Sequence, residues 1–133
     1  MVVFLLIIAA VNAQGSPVDG AWKNSLDALM VVRGAGGLFS GNYTSPASGK
    51  GAGLTHAVAG TYDEDSDDTT LAFAVSWRLD PWDESESSTA WAGQLMLSGA
   101  EMHTTWLTRR HANQPDDEWS ATTVGQDVFV RQQ

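Results

Sequence analysis

The sequence predicts an all-β fold, an eight-stranded antiparallel up-and-down β-barrel, and three observations lead there. No segment carries apolar residues at a 3.6-residue period over helical length. Short runs rich in Val, Thr, Trp, Leu and Phe recur instead, parted by Gly, Asp and Ser clusters. The 133 residues leave room for one domain with a core and hardly for two. Eight strands closed on themselves leave no open sheet edge, and their interior is wide enough for one small ligand.

Residues 1–13 stand apart from the fold. Met1 precedes an apolar run over 2–11 that ends in Val11-Asn12-Ala13, a small-residue cleavage pattern. Ten apolar residues are too few to span a bilayer, where about 20 are needed. A secretory signal peptide cleaved after Ala13 is therefore expected, although no Lys or Arg precedes the run. The alternative is a buried first strand. Cleavage would leave a secreted chain of 133 − 13 = 120 residues. Asn42-Tyr43-Thr44 would then be a glycosylation sequon in a eukaryotic host.

The barrel domain is expected over 19–131, with strands at 21–26, 29–33, 38–44, 54–62, 71–78, 89–98, 101–110 and 121–131. Gly34-Ala35-Gly36-Gly37 supplies the turn between the second and third strands. Residues 45–53 form a small-residue loop, 63–68 and 80–88 acidic loops, Ser98-Gly99-Ala100 a tight connection, and 111–118 the last polar loop.

Alternation assigns the faces. Trp22, Asn24 and Leu26 share one face of the first strand, with Ala28 just beyond. Thr89, Trp91, Gly93 and Leu95 fall together on the sixth, and Met102, Thr104, Trp106 and Thr108 on the seventh. Aromatic rings interleaved with small polar groups suit a binding cavity better than a purely structural core, which would use Val, Leu and Ile. The opposite faces carry Ala90, Ala92, Met96, Leu107 and Val128, and so predict burial between subunits.

Composition narrows the function. Seven basic against sixteen acidic residues give a net charge of −9, which disfavours nucleic acid and anionic membranes as partners. The absence of cysteine excludes disulfides, thiolate metal sites and cysteine nucleophiles. His56, His103 and His111 show no metal-ligand spacing and read as surface residues. Asp63-Glu64-Asp65-Ser66-Asp67 imitates the start of a calcium loop, yet Asp68 replaces the required Gly and Ala74 the closing Glu. Neither a phosphate-binding Gly-rich loop nor a Gly-x-Ser-x-Gly elbow is present, so no enzyme, metal site or cofactor is expected.

Five segments in order resemble the avidin and streptavidin family. They are Gly20-Ala21-Trp22-Lys23-Asn24-Ser25-Leu26, Gly41-Asn42-Tyr43-Thr44-Ser45, Ser76-Trp77 followed by 87–94, Thr105-Trp106-Leu107, and the run 119–127 ending in Gly125-Gln126-Asp127. The resemblance spans about 19–131. It implies a secreted biotin-binding homo-oligomer, a tetramer or alternatively a dimer, with biotin as ligand. On that resemblance, Asn24 and Tyr43 would donate to the ureido oxygen, while Asp127 and Ser45 would accept from the ureido N–H groups. Thr89 would face the thioether, Ser87 the valeryl carboxylate, and Trp77, Trp91 and Trp106 would wall the cavity. Trp119 would reach a neighbouring subunit, and Ser48, Gly49 and Lys50 would lie in a loop over the site, with backbone N–H groups near the carboxylate.

The sequence also departs from that family pattern. Ala28 stands where the family has a serine, Thr108 where an apolar residue is usual, and Arg110 where a small hydroxyl often sits. The loop before Thr89 is longer than streptavidin's by one residue and carries Pro81 and Trp82, the latter a candidate extra wall. These departures keep open a barrel used for oligomerisation or as a matrix module, with weak or no biotin binding. A lipocalin-like carrier of another apolar molecule is the third possibility, weakened by the strand-like C-terminus.

Overall fold

The computed structural model describes residues 15–46, 53–64, 69–78 and 86–133. The predicted signal peptide over 1–13, Ser48, Gly49, Lys50 and Trp82 lie outside the described residues.

Eight strands run in chain order: β1 Gly20–Lys23, β2 Leu29–Ala35, β3 Leu38–Thr44, β4 Thr55–Tyr62, β5 Thr70–Ser76, β6 Ser87–Met96, β7 Glu101–Arg110 and β8 Thr122–Arg131. Each pairs antiparallel with the next, and β1 returns to β8 through Trp22↔Arg131 and Lys23↔Val130, closing the barrel. Alternation drives the assembly. In β5, Leu71, Phe73 and Val75 are buried between exposed Thr70, Ala72, Ala74 and Ser76. Met30, Val32, Phe39, Val58, Phe73, Met102 and Phe129 fill the interior. Gly36 and Gly37, at φ 63° and 84°, form the two-residue β2–β3 turn, which requires positive φ at both positions.

Several boundaries differ from expectation for local reasons. β1 stops at Lys23, because Asn24 Oδ1 accepts the backbone N–H groups of Leu26 and Ala28 and bends the chain away. Asp27 then takes a left-handed φ of 64°, and Leu26 ends 72% exposed rather than facing inward. β5 ends at Ser76, and β6 stops at Met96 because Leu97 and Ser98 turn at φ 54° and 55°. The last polar loop contains a 3-10 helix, Pro115–Ser120, where no helix was expected. Pro115 presets its first turn, and Asp116, Asp117 and Glu118 suit a helix start, but six residues are too short to show an apolar period.

The two ends of the barrel are unlike. One end is sealed by fully buried Val18 and Trp22, the Trp22 indole donating to the Val18 carbonyl at 3.0 Å. Arg131 lies 4.3 Å from the Trp22 ring centroid and donates to the carbonyls of Gly99, Asp19 and Pro17. At the other end stand the last residues of β1, β3, β5 and β7 and the first of β2, β4, β6 and β8. This mouth brings Asn24, Ser45, Trp77, Ser87 and Arg110 to one rim. The outer surface keeps an apolar face of Val124, Leu107, Met96 and Val128, all exposed, beside Ala90 and Ala92.

Candidate functional site

The site begins where β1 bends. The Asn24 carboxamide has its orientation set by the network, because Oδ1 accepts two backbone N–H groups at 3.1 and 3.0 Å. Nδ2 therefore points inward and donates to the Tyr43 hydroxyl at 3.2 Å and to Asp127 Oδ2 at 3.1 Å. Residues from β3 and β8 are thus drawn to one point. Both amide hydrogens are engaged, so a ligand oxygen arriving here competes with Tyr43 and Asp127 for them. The Tyr43 oxygen accepts from Asn24, which leaves its own O–H to donate; it has no acceptor among the described residues.

Burial sets the protonation states. It pushes the Tyr43 hydroxyl up to about 12, with the Asp127 charge adding to the rise and the Asn24 hydrogen bond opposing it. Tyr43 is therefore a neutral donor at physiological pH. The Asp127 carboxyl is raised chiefly by burial, against the Asn24 amide, the Trp91 indole and the Val128 backbone N–H. The Trp91 indole lies near enough to lower that carboxyl, yet its buried Nε1 completes no hydrogen bond.

An aromatic wall adjoins this cluster. Tyr43 meets Trp77 edge-on at 5.4 Å between centroids and Trp91 at 5.6 Å, while Trp77 and Trp91 stand 6.2 Å apart at 70°. The Trp77 Nε1–H donates to Thr89 Oγ1 at 2.8 Å, and Thr89 and Thr108 share a 2.6 Å hydroxyl contact. Trp106 faces Trp91 across the β6–β7 ladder. Its ring lies over Gly125, where a Cβ would come within 2.3 Å of Trp106 Cζ2. Only glycine admits the indole there.

Of the residues expected at a site, Asn24, Tyr43, Asp127, Trp77, Thr89, Trp91 and Trp106 form this connected set. Ser45 and Ser87 stand at the mouth, with the Ser45 N–H bonded to the Leu54 carbonyl and the Ser87 carbonyl to the Trp77 N–H. Trp119 is not part of it: on the 3-10 helix, it is 86% exposed. Ala28 is buried against Asn24 and brings no hydroxyl.

His56 corrects the expectation of a surface histidine. It is 6% exposed, paired with Tyr43 across β3–β4, and its ring meets Trp77 at 5.0 Å and 77°. Its Nε2 lies 3.1 Å from the Trp77 carbonyl, which can only accept, so Nε2 carries a hydrogen, and Nδ1 is buried without a partner. Alternation with Val58, Gly60 and Tyr62 was the signal that placed His56 inward. Phe73, stacked on Trp91 at 4.8 Å and 14°, is a second wall residue not singled out from sequence. Buried polar groups are ordinarily bonded. An orphaned donor on Trp91 and an orphaned ring nitrogen on His56 beside one aromatic wall suit a cavity that receives a polar ligand. Among the described residues, no cluster of three or more His, Asp or Glu could hold a metal ion.

A family model described as the avidin family matches residues 12–132. The chain belongs to the avidin family. Avidin-related protein 3 of Gallus gallus is 31% identical over 133 residues, covering 96% of this chain and 85% of the relative. Avidin of Gallus gallus is 29% identical over 134 residues, with 95% and 85% covered. The crystal structure of xenavidin superposes with a TM-score of 0.74 at 28% identity, over 90% of this chain and all of that one. The solved structure of AVR2 gives 0.73 at 29% identity, over 87% of this chain and 95% of that one. The closed eight-stranded barrel is thus the avidin fold. As a member of a family that binds a ligand without transforming it, the protein is not an enzyme.

Proposed function

We propose that this avidin-family barrel is a secreted protein that binds biotin. The convergence of Asn24, Tyr43 and Asp127 at one buried point, 103 residues of chain apart at its extremes, carries the reading. A cyclic urea loses its water on entering a barrel, and each unpaired polar group would cost several kcal/mol. Tyr43 O–H and the Asn24 amide meet the ureido oxygen, while Asp127 and Ser45 accept from its N–H groups. Trp77, Trp91 and Trp106 wall the ring system, Thr89 faces the thioether, and Ser87 with the backbone of Gly49 meets the carboxylate. Ala28 removes one donor, which lowers affinity by on the order of 1–3 kcal/mol relative to a full set.

The outer face of Ala90, Ala92, Leu107 and Val124 supports association into a homotetramer, with a dimer as the smaller alternative. Trp119, exposed in one protomer, then completes a neighbour's cavity. A thermal melt with and without biotin tests the reading, since a ligand bound only by the native state raises the midpoint by mass action. An unchanged midpoint with no heat on titration overturns it. That outcome, together with an intact oligomer, is what the second reading requires: an avidin-fold oligomerisation module without ligand. The missing hydroxyl at Ala28 and the fully engaged Asn24 amide favour it.

A further inference from the structure

Basic side chains cluster on one side of the open end of the barrel in a chain of net charge −9. Three of the seven basic residues, Arg78, Arg109 and Arg110, gather there around a cleft shared with Ser76, Ser87 and Ser88. Two of the three face acids. Arg109 meets Glu118 at 3.2 Å, and Arg78 meets Glu86 at 3.9 Å, an acid that His111 also approaches at 3.9 Å. Arg110 differs. Its Nη2 donates to the Ser120 carbonyl at 2.7 Å, and no carboxylate lies within ion-pair distance of it among the described residues. It pairs directly with Ser87 across the β6–β7 ladder and shares the strand face of Trp106 and Thr108. A guanidinium with no acid paired to it among the described residues thus sits beside the serine at which a bound tail would leave the barrel.

We propose that Arg110 is a specificity-determining residue that makes the mouth favour ligands with an anionic tail over neutral ones. This rests on the biotin reading, in which Ser87 meets the valeryl carboxylate. Ser87 contributes one hydrogen bond whether the tail is charged or not; Arg110 adds an ion pair only when it is. The carbonyl of Ser120 is neutral, so engaging it forms no ion pair with the guanidinium. Because the side chain is exposed, its effect is screened by salt and moderate in size. Its field also draws an anion toward the cavity against the repulsion of an acidic protein.

The test compares biotin with its neutral primary amide on the full chain at about 20 mM and about 500 mM salt, concentrations that span weak and strong screening. The readout is the ratio of the two dissociation constants. At low salt the preference for biotin over the amide falls about two- to fivefold in Arg110→Gln and is restored in Arg110→Lys. High salt brings the wild-type ratio down to that of Arg110→Gln. A ratio equal in wild type and Arg110→Gln at low salt, with both proteins melting alike, overturns the proposal. Loss of binding to both ligands in the wild type overturns the biotin reading itself, and is told apart because no ratio then exists.

Discussion

The Asn24 side-chain amide donates to the Asp127 carboxylate at 3.1 Å across 103 residues of chain, joining the bend after β1 to the middle of β8. The same nitrogen donates to Tyr43. One side chain therefore organises the polar end of the cavity, and Asn24→Ala removes that organisation together with the two backbone bonds that shape the bend. Ligand affinity is expected to fall by about 2–3 kcal/mol, or roughly 30- to 150-fold, with the oligomer mass unchanged. Calorimetric titration and gel filtration check both; simultaneous loss of oligomer would place Asn24 outside the cavity's function.

Asp127 links the site to pH. Its folded-state carboxyl is raised by burial, so the folded protein holds the proton over a range in which the unfolded chain has released it. Stability contributed by the neutral form is complete below the ordinary carboxylate range and declines as pH climbs through the raised value. Asp127→Asn keeps an acceptor for Asn24 and cannot ionise. Without ligand, its melting midpoint should gain on wild type as pH climbs from the ordinary aspartate range through the raised folded-state value. A constant difference across that window contradicts this account.

Tyr43 is held neutral well past physiological pH, its hydroxyl pushed up to about 12. Ligand binding should therefore show no tyrosine-linked loss near pH 10. The unfolded chain ionises its tyrosine near 10, so stability drains between that pH and about 12 in the wild type. Tyr43→Phe removes this share of the alkaline loss and weakens ligand binding about tenfold or more through the missing donor. Alkaline melts and a titration at neutral pH separate the two effects.

Gly125 is shaped by Trp106. Gly125→Ala forces a Cβ to within 2.3 Å of the indole, and the neighbouring ladder backbone leaves the ring as the part that moves. The variant should stay folded, shift tryptophan emission and lose ligand affinity. Unchanged emission and affinity would mean that Trp106 does not wall the cavity.

Arg131 ties the sealed end together through three carbonyls and the Trp22 face. Arg131→Met keeps a stem over the ring but leaves those carbonyls without a charged donor, at about 2–3 kcal/mol. The melting midpoint should drop by roughly 8 °C or more, while the ratio of affinities for biotin and its amide stays at the wild-type value.

Much of this molecule was legible in the chain itself, because a β-strand writes its two faces into alternate residues. Leu71, Phe73 and Val75 announce an interior face, and Gly36-Gly37 a two-residue turn, without any distant partner. The same alternation placed His56 inward, but its polarity argued for the surface; only packing against Trp77 and Tyr43 decided otherwise. Leu26 shows the converse, an apolar residue of inward parity that ends in solvent because Asn24 bends the chain one residue after the strand. What alternation and spacing left to the tertiary structure is which polar groups meet, a convergence the sequence offered only through its family resemblance. Asn24, Tyr43 and Asp127 carry no signature of one another along the chain, and closure of β1 onto β8 brings them within hydrogen-bond reach, since closing a sheet fixes distances that no local pattern encodes.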